Sequence, residues 1–401
     1  MSGATLLHVR PYGFEVGSVH KYGEMFARVT DVEDYVIPSF SEPVNKMAKT
    51  MERAKPRLVL VRGDRWDMWQ AAKAAGIPYI LDAHDIHSMR VPEAENRKFD
   101  ERGQMENAAA IIFTSEDHLD YCSRRYDLPP SRVVHLRPLA SALDFKPLPK
   151  KRGKHIVYAG GLTMAEAATG IYGYRSYGVS IFPALIAAGW KVHVYPCYLA
   201  SDAIRNQFAQ VGCIMHDEVP EDDLPRELSQ FSVGIQSYAN DDCFPAAFDY
   251  CMTCRPNKLW SYLAAGIPTV GFQGGNGTRL YDGSWGMVAH SLDELPAVAG
   301  HAAKMKIPEA VRRGQVMDGD EPKFRELVAL ALAKTETKRE TQRRRAIEVT
   351  EPAPVTFRLA NAKTFRGVEY PKGTRIDLPT AVAMKKAGML TDERIPDTVP
   401  C

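Results

Sequence analysis

The chain has 401 residues, of which 45% are hydrophobic and 25% are charged, and its net charge at pH 7 is +2. This length is too great for one simple core and predicts two or more domains, while the composition is ordinary for a soluble globular protein. The near-zero net charge provides no global field that would attract nucleic acid or a membrane, so only a local basic patch could serve such a partner.

Targeting and metal-binding signals are weak. No apolar run reaches the roughly 18 residues of a bilayer-spanning helix, and the N-terminal sequence lacks the basic segment and apolar core of a signal peptide. The seven cysteines are scattered and odd in number, which predicts reduced thiols in a cytoplasmic protein. Cys251 and Cys254 form a C-x-x-C with Cys243 upstream, but zinc would also need His216 or His290, and we expect no metal.

Residues 1–148 alternate predicted strands and helices, which indicates a mainly parallel sheet. Within this part, residues 58–81 have the strand, helix, strand order of a βαβ unit. The predicted strands are 5–10, 58–61, 79–81, 111–113 and 133–136, and the predicted helices are 19–29, 47–54, 66–75 and 116–126, the last with Ser115 as its N-cap.

A turn-rich loop follows the first predicted strand and contains Tyr12, Gly13 and Gly17. Its glycines suit the close approach of a substrate. The G-x-G-x-x-G spacing of a phosphate-binding loop is absent, so we expect this loop to face an acceptor rather than a phosphate.

Polar residues crowd the carboxyl end of the strand at 79–81, where α/β folds place active-site groups. His84, Asp85 and His87 lie there and suit hydrogen bonding or proton transfer. The alternative interpretation is a polar loop that caps the next helix.

Residues 146–154 are proline-rich, basic and polar, which predicts a linker. A second domain at 155–335 then begins with a strand and the paired-glycine turn of Gly160 and Gly161. Further predicted strands are 191–195, 232–236 and 267–272, and predicted helices are 182–188, 222–230, 291–304 and 324–337.

The segment from Arg255 to Phe272 has the pattern of a loop, a short helix, a turn and a buried strand. Gly266 falls where a helix C-cap favours a left-handed residue, and Pro268 prevents continuation. Arg255, Asn257 and Lys258 lie at the helix start, where backbone N–H groups and the helix dipole favour a phosphate.

This segment resembles the donor-site segment of GT-B glycosyltransferases of the retaining family 4, many of which carry something like Asn-Lys-Leu-Phe-Glu-Tyr-Leu-Ala-Ala-Gly-Lys-Pro-Val-Val. The alternative is an ordinary helix and strand with an incidental lysine. The resemblance covers residues 5–335 and implies an α/β fold of two Rossmann-like domains facing a cleft. It also implies sugar transfer from a UDP- or GDP-sugar, with no cofactor besides this co-substrate.

The resemblance assigns roles to individual residues. His84 and Asp85 would face the transferred sugar and Lys258 the leaving group, while Tyr12, Gly13 and Gly17 would lie on the acceptor side. The donor-binding residues would be Gly160, Gly161, His216, Arg255, Asn257, Lys258, Ser261 and Tyr262.

Three departures from the family pattern affect the donor site. The family's ribose-binding Glu is Ser261 here, and the carboxylate eight residues earlier is Thr253. After the paired glycines, the first arginine is Arg175 rather than a nearby Arg and Lys. The ribose contact would therefore need Ser261, Tyr262 or a loop Asp; the pair Asp241 and Asp242 instead fits an exposed acidic loop better than a metal site.

Residues 353–393 alternate apolar and polar positions as small strands do, and they resemble a β-rich module appended to bacteriophage proteins. A basic cluster of Arg343, Arg344 and Arg345 precedes it, and Lys150, Lys151, Arg152 and Lys154 lie in the linker. These features motivate a hydroxymethylated pyrimidine in phage DNA as the acceptor, in a host cytoplasm. The alternatives are a cell-envelope glycan acceptor and a GT-B-fold binding protein without transfer activity.

Overall fold

The structure, a computed structural model, describes residues 4–11, 18–38, 42–63, 65–90, 99–136, 145–162, 180–196, 200–236, 250, 253–272, 283–313 and 320–334, and then 356–358, 363–365, 368–370, 375–377 and 384–389. The chain divides into two compact units, Met1–Thr335 and Glu336–Cys401. Among the residues described, no helix has the length and hydropathy needed to cross a bilayer.

The first half of the first unit is a six-stranded parallel sheet in the order β2-β1-β3-β4-β5-β6. The strands are β1 (Leu6–Pro11), β2 (Val32–Ile37), β3 (Leu58–Arg62), β4 (Tyr79–Asp82), β5 (Ala110–Phe113) and β6 (Val133–His135). The helices are α1 (Ser18–Val29), α2 (Val44–Ala54), α3 (Trp66–Ala74), α4 (Glu101–Asn107) and α5 (Glu116–Tyr126), with 3-10 turns at His87–Met89 and Pro130–Arg132.

The second half is another six-stranded parallel sheet, in the order β12-β11-β10-β7-β8-β9. Its strands are β7 (His155–Gly160), β8 (Lys191–Pro196), β9 (Ile214–Met215), β10 (Val233–Gln236), β11 (Thr269–Phe272) and β12 (Gly286–Ala289). The helices are α6 (Ile181–Ala187), α7 (Asp202–Gln210), α8 (Leu224–Leu228), α9 (Asn257–Ala264), α10 (Leu295–Ala302), α11 (Glu309–Arg313) and α12 (321–334).

Both faces of the first sheet are buried, as the continuous apolar sequences of its inner strands require. Successive side chains on β3 belong alternately to two apolar clusters: Val59 and Val61 to one, and Leu58 and Leu60 to the other. Each such residue contributes about 1.5–3 kcal/mol through its burial. The predicted α/β architecture of two parallel sheets is therefore confirmed.

The edge strand β2 was not predicted, because Glu33 and Asp34 are residue types depleted in strands. The structure compensates the Asp34 charge: its carboxylate lies 3.0 Å from Nδ1 of His8 and 3.1 Å from the Arg10 guanidinium. Hydrogen bonding to His8, together with both neighbouring charges, lowers the pKa of Asp34. Helices α4 and α7 and strand β12 were likewise absent from the prediction.

Helix α12 returns to the first sheet, although the predicted boundary at 335 assigns it to the second domain. The Phe324 ring makes edge contacts with Tyr22 and Phe26 at centroid distances of 5.7 and 4.9 Å. The Lys334 ammonium donates to the Ala108 carbonyl at 2.8 Å. The two sheets of the first unit are therefore joined by this helix as well as by the linker.

Strands of three residues make up most of what is described in the second unit. β13 (Thr356–Arg358) pairs antiparallel with β16 (Arg375–Asp377), and β14 (Lys363–Phe365) pairs antiparallel with β15 (Val368–Tyr370). The prediction of small strands here is consistent with these pairings. Residues 384–386 form a single helical turn.

Candidate functional site

The second sheet has a topological switch point between β7 and β10. From β7 the chain proceeds to β8 on one side and later to β10 on the other, so the connections leave the sheet in opposite directions. Renumbered from β7, the order is the 3-2-1-4-5-6 arrangement of Rossmann folds, which bind ligands in this crevice at the carboxyl ends of the strands.

Lys258 and Gly160 meet at this crevice. Gly160 ends β7 with φ +138°, and a Cβ atom added there would lie 3.0 Å from the Lys258 Cε atom. The Lys258 ammonium lies 4.8 Å from the Tyr158 ring centroid, and the Tyr158 hydroxyl donates to the Gly161 carbonyl at 2.6 Å. The paired-glycine turn and the start of α9, both assigned to the donor, are adjacent in the fold.

Helix α9 presents its amino terminus at this position. Its N-cap is Pro256, whose side chain makes no capping hydrogen bond. Arg255, Asn257 and Lys258 are half-buried, whereas most of the helix beyond them is buried. First-turn N–H groups and a nearby lysine form an arrangement suited to an anionic phosphate.

Tyr262 is not a donor-facing residue, which corrects the prediction from sequence. It is 0% exposed, and its hydroxyl accepts from the Ala159 N–H at 3.0 Å and lies 3.1 Å from the Ile235 carbonyl. Its ring lies against Gly234, where a Cβ would be 2.7 Å away. Tyr262 therefore ties β7 to β10 at the switch point. Ser261, the other ribose candidate, is 7% exposed and also buried.

Asp85 of the first sheet domain contacts a residue of the second. One carboxylate oxygen accepts a hydrogen bond from the Tyr250 hydroxyl, and the other lies 3.0 Å from the Arg90 guanidinium. Burial alone would raise the pKa of Asp85, but the charges of Arg90, His84 and Arg62 and the Tyr250 hydrogen bond hold it well below its usual range. With both oxygens engaged, Asp85 is a stable carboxylate and a poor general base.

His118 lies beside this pair and was not predicted. It is 0% exposed and stacks on the Tyr250 ring at a centroid distance of 5.6 Å. Burial lowers its pKa to about 3, with Asp85 partly opposing this effect, so the imidazole is neutral. The Arg90 guanidinium lies 5.1 Å from the same Tyr250 ring.

Ser115 makes a second contact between the two sheet domains. Its hydroxyl donates to the Thr253 carbonyl at 2.7 Å instead of capping α5, so the predicted capping role is wrong. Tyr250 and Thr253, which precede α9 in the chain, thus contact residues at the carboxyl ends of β4 and β5. No sequence signal marks these contacts, because the partners are separated by 138 and 165 residues.

The loop that carries His84 and Asp85 is anchored to helix α4 by the buried carboxylate of Glu101. Glu101 accepts from the Ser88 N–H at 2.7 Å and from the Tyr126 hydroxyl at 2.8 Å. His87 is buried, and its ring stacks on that of Phe99 with the ring centroids 4.0 Å apart. His84, by contrast, is half-buried next to Asp85, as a residue facing the cleft would be.

His216 follows β9 and is connected to two other histidines. Its Nε2 lies 2.8 Å from Nδ1 of His193, and Nε2 of His193 lies 2.8 Å from Nδ1 of His155. The His216 ring stacks on Tyr195 at 4.2 Å with an interplanar angle of 5°. The histidine chain, defined as His155, His193 and His216, crosses three neighbouring strands of the second sheet.

The linker lysines are engaged with the second domain. The Lys150 ammonium donates to the Phe231 carbonyl at 2.6 Å, and burial together with Arg312 lowers its pKa to about 8. The Lys154 ammonium donates to the Ala188 carbonyl at 3.1 Å. Both lysine residues nevertheless remain exposed at the protein surface.

Several predicted residues lie outside the described part of the chain: Tyr12, Gly13, Gly17, Arg175, Asp241, Asp242, Cys243, Cys251, Arg343, Arg344 and Arg345. Within the described part, no cluster of three or more His, Cys, Asp or Glu side chains has the arrangement of a metal site.

No protein-family model matches the chain, and no curated protein matches its sequence. Solved structures do match. HepE of Anabaena in complex with UDP-glucose aligns with a TM-score of 0.56 at 11% identity, over 82% of this chain and 99% of HepE. Sucrose-phosphate synthase from Thermosynechococcus elongatus aligns with a TM-score of 0.50 at 15% identity, over 86% of this chain and 99% of the synthase. At these identities the likeness establishes the fold, which is GT-B.

Proposed function

We propose that this chain is a glycosyltransferase that moves a sugar from a nucleotide-sugar to an acceptor hydroxyl. The observation that carries the proposal is the meeting of Lys258, the start of α9 and the Gly160 turn at the switch point of the second sheet. The solved complex of HepE, which shares this fold, contains UDP-glucose. A UDP- or GDP-sugar is accordingly the proposed co-substrate.

The donor would bind with its diphosphate between the Gly160–Gly161 turn and α9. Arg255 and Lys258 supply positive charge, and Asn257 and the first-turn N–H groups supply hydrogen-bond donors. Negative charge grows on the diphosphate as the bond to the sugar breaks, so groups fixed there lower the barrier. Because cationic side chains supply this stabilisation, the proposal includes no resident metal.

His84 and Asp85 would face the transferred sugar from the first domain. In the reaction, the bond between the anomeric carbon and the diphosphate breaks and a bond from that carbon to the acceptor oxygen forms. The acceptor proton passes to the leaving phosphate. Asp85, held ionised by Arg90 and Tyr250, would stabilise positive charge on the sugar ring rather than remove the proton. We therefore propose retention of the anomeric configuration.

Two acceptor hypotheses remain proposals. A hydroxymethylated pyrimidine in DNA is motivated by the basic cluster, the exposed linker lysines Lys150 and Lys154 and the second unit, because cations of this kind neutralise DNA phosphates. A cell-envelope glycan requires no such patch. The two hypotheses are distinguished by measuring transfer of radiolabelled sugar from the nucleotide-sugar to hydroxymethylated duplex DNA, to unmodified DNA and to glycolipid in parallel assays.

The proposed function is tested by a thermal-shift panel of UDP-, GDP-, ADP- and CDP-sugars. A ligand that binds the native state raises the unfolding temperature by mass action. We expect a shift with at least one nucleotide-sugar and release of free nucleotide when an acceptor is added. A rise in unfolding temperature without turnover on any acceptor would favour a non-catalytic binding protein. No rise with any of the nucleotide-sugars would contradict the proposal.

A further inference from the structure

A set of basic side chains lies along the amino-terminal edge of the second sheet, opposite the edge that carries the candidate donor site. The linker runs along this edge. It contacts the start of β10, where the Lys151 N–H donates to the Gln230 carbonyl at 2.8 Å. It ends at Lys154, whose carbonyl accepts from the N–H of Lys191, the first residue of β8, at 2.8 Å. We call this set the basic strip; its members are Lys150, Lys151, Arg152, Lys154, Lys191, Arg226 and Arg312.

Arg226 and Arg312 extend the strip on the side of β10 and β11. The Arg226 carbonyl accepts from the Ser229 hydroxyl at 2.6 Å, and that hydroxyl accepts from the Leu148 N–H of the linker at 2.9 Å. The Arg312 guanidinium donates to the Ala264 carbonyl at 2.8 Å, at the end of α9, which leads into β11. The strip therefore passes the amino ends of β11, β10, β7 and β8, which is three strand spacings or about 14 Å.

Most side chains of the strip are exposed, namely Lys150, Arg152, Lys154, Lys191 and Arg226. The segments that carry the strip also contain two carboxylates, Glu227 and Glu309, and Glu309 pairs with Arg312 at 3.0 Å. The net charge of the whole chain is +2. The protein thus has a local excess of positive charge at this edge, although its total charge is close to zero.

The ionisation of neighbouring groups shows that these cations act on one another. Partial burial of its ammonium group, and then the charge of Arg312, lowers the pKa of Lys150 to about 8. Burial also lowers the pKa of His155, and the charges of Lys191 and Lys151 add to this effect. An anion bound along the strip would offset the repulsion among its cations.

The dimensions of the strip suit the phosphate backbone of a nucleic acid. About 14 Å of duplex axis carries about four phosphates on each strand, which is comparable with the number of exposed cations. A surface that docks on a membrane combines such cations with apolar side chains that enter the lipid. Among the residues described, the large apolar side chains that are exposed are Val36 and Ile214, and neither belongs to the strip. The strip therefore favours a water-soluble polyanion over a lipid surface.

We propose that the basic strip binds the phosphate backbone of duplex DNA without reading its sequence. Lysine and arginine side chains neutralise phosphates and release the counterions condensed on DNA, and this requires no contact with a base. Gly160 of the donor site lies at the other end of β7, about 20 Å from Lys154. DNA on the strip would therefore leave the donor site open. The inference goes beyond the proposed function, because it adds a second binding surface whether or not DNA is the acceptor.

The test measures fluorescence anisotropy of a labelled DNA duplex with the full chain between about 50 and 200 mM NaCl. We expect a dissociation constant of about 10⁻⁴–10⁻⁶ M that rises steeply with salt and is the same for two duplexes of unrelated sequence. The variant is Arg152→Gln with Lys191→Gln. The matched control is Lys49→Gln with Arg53→Gln, which removes an exposed lysine and an exposed arginine from α2.

Loss of two phosphate contacts should flatten the plot of log affinity against log salt by about two in the strip variant, and the control should retain the wild-type slope. Arg226→Gln alone should flatten it by about one. No binding of wild-type protein to DNA, or equal slopes in the strip variant and the control, would overturn the proposal. Binding to phosphatidylserine vesicles but not to DNA would also overturn it, because the strip would then be a membrane surface.

Donor binding is measured in the same variants by the thermal shift with the preferred nucleotide-sugar. It should match that of the wild type, because the strip and the donor site lie at opposite edges of the sheet. Failure of DNA binding with an intact thermal shift would overturn this inference and leave the proposed function standing. An absent thermal shift with intact DNA binding would contradict the proposed function alone.

Discussion

The Tyr250 hydroxyl donates a hydrogen bond to the Asp85 carboxylate, joining the segment that leads into α9 to the carboxyl end of β4. The same carboxylate pairs with Arg90, and the Tyr250 ring contacts both Arg90 and His118. The proposed sugar-facing carboxylate therefore contacts Tyr250, which lies only a few residues before the proposed phosphate site at Asn257 and Lys258.

Removing the Tyr250 hydroxyl should reduce turnover while costing the fold only a small part of its stability. Tyr250→Phe keeps the ring contacts with Arg90 and His118 but leaves Asp85 with one fewer donor, which costs about 1 kcal/mol of stability. We expect a larger fall in kcat than in donor affinity. The matched control is Tyr121→Phe, whose hydroxyl makes no hydrogen bond among the described residues. Equal activity in both variants would contradict a role for the Tyr250–Asp85 contact.

Replacing Arg90, the ion-pair partner of Asp85, should change how the free energy of unfolding depends on pH. The folded pKa of Asp85 is lowered, so its contribution is present above the unfolded value of about 4 and is lost as pH falls towards the folded pKa. Arg90→Met removes the ion-pair partner of a largely buried carboxylate and should cost up to about 3–5 kcal/mol at pH 7, less whatever Tyr250, His84 and Arg62 still supply.

Denaturant unfolding from pH 7 to about pH 2 measures this effect, because the range must extend below the unfolded pKa of about 4. The gap in the free energy of unfolding between wild type and Arg90→Met should narrow as pH falls below about 4, because the wild type then loses the part of its stability that comes from the Arg90–Asp85 charge pair. A gap that is constant or widens over this range would show that Arg90 does not act through the Asp85 charge.

A side chain at Gly160 should be unfavourable for two separable reasons. Its φ of +138° strains any other residue, and a Cβ would lie 3.0 Å from Lys258. Gly189→Ala is the matched control, because Gly189 also has positive φ (+81°) but no atom within 4 Å of the added Cβ. Both variants should lose about 1–2 kcal/mol of stability. Calorimetry should show loss of donor binding only for Gly160→Ala.

Tyr262→Phe should lower the stability of the fold and leave donor binding nearly unchanged. The change leaves the Ala159 N–H without its buried partner, which costs about 1–3 kcal/mol of stability. Because the hydroxyl faces the strands, KM for the donor should change little at a temperature where the variant is folded. A large rise in KM with unchanged stability would restore Tyr262 as a donor contact.

The parts of the site that the sequence predicted are those with local signals. The turn at Gly160 follows an apolar strand, and the start of α9 is marked by Pro256 and by the apolar spacing of Leu259 and Leu263. The turn at Gly160 and the start of α9 are adjacent because parallel strands place their carboxyl ends at one edge of the sheet.

The parts that were missed depend on long-range packing. Tyr250 and Asp85 lie 165 residues apart and carry no shared pattern. The histidine chain becomes visible only when β7, β8 and β9 are known to be neighbours, since each histidine alone resembles an isolated strand residue. Tyr262 was misassigned because helix periodicity does not reveal that its hydroxyl reaches the backbone of β7 and β10.

The most direct test of the central claim is steady-state turnover of Lys258→Ala with the preferred nucleotide-sugar. The matched control is Lys304→Ala, an exposed lysine remote from the switch point in sequence. A cation that stabilises the leaving diphosphate should contribute about a hundredfold to kcat, so we predict that loss in Lys258→Ala, with an unfolding temperature near that of wild type and full activity in the control. Unchanged turnover in a folded Lys258→Ala protein would contradict the assignment of the donor site to Lys258 and the Gly160 turn.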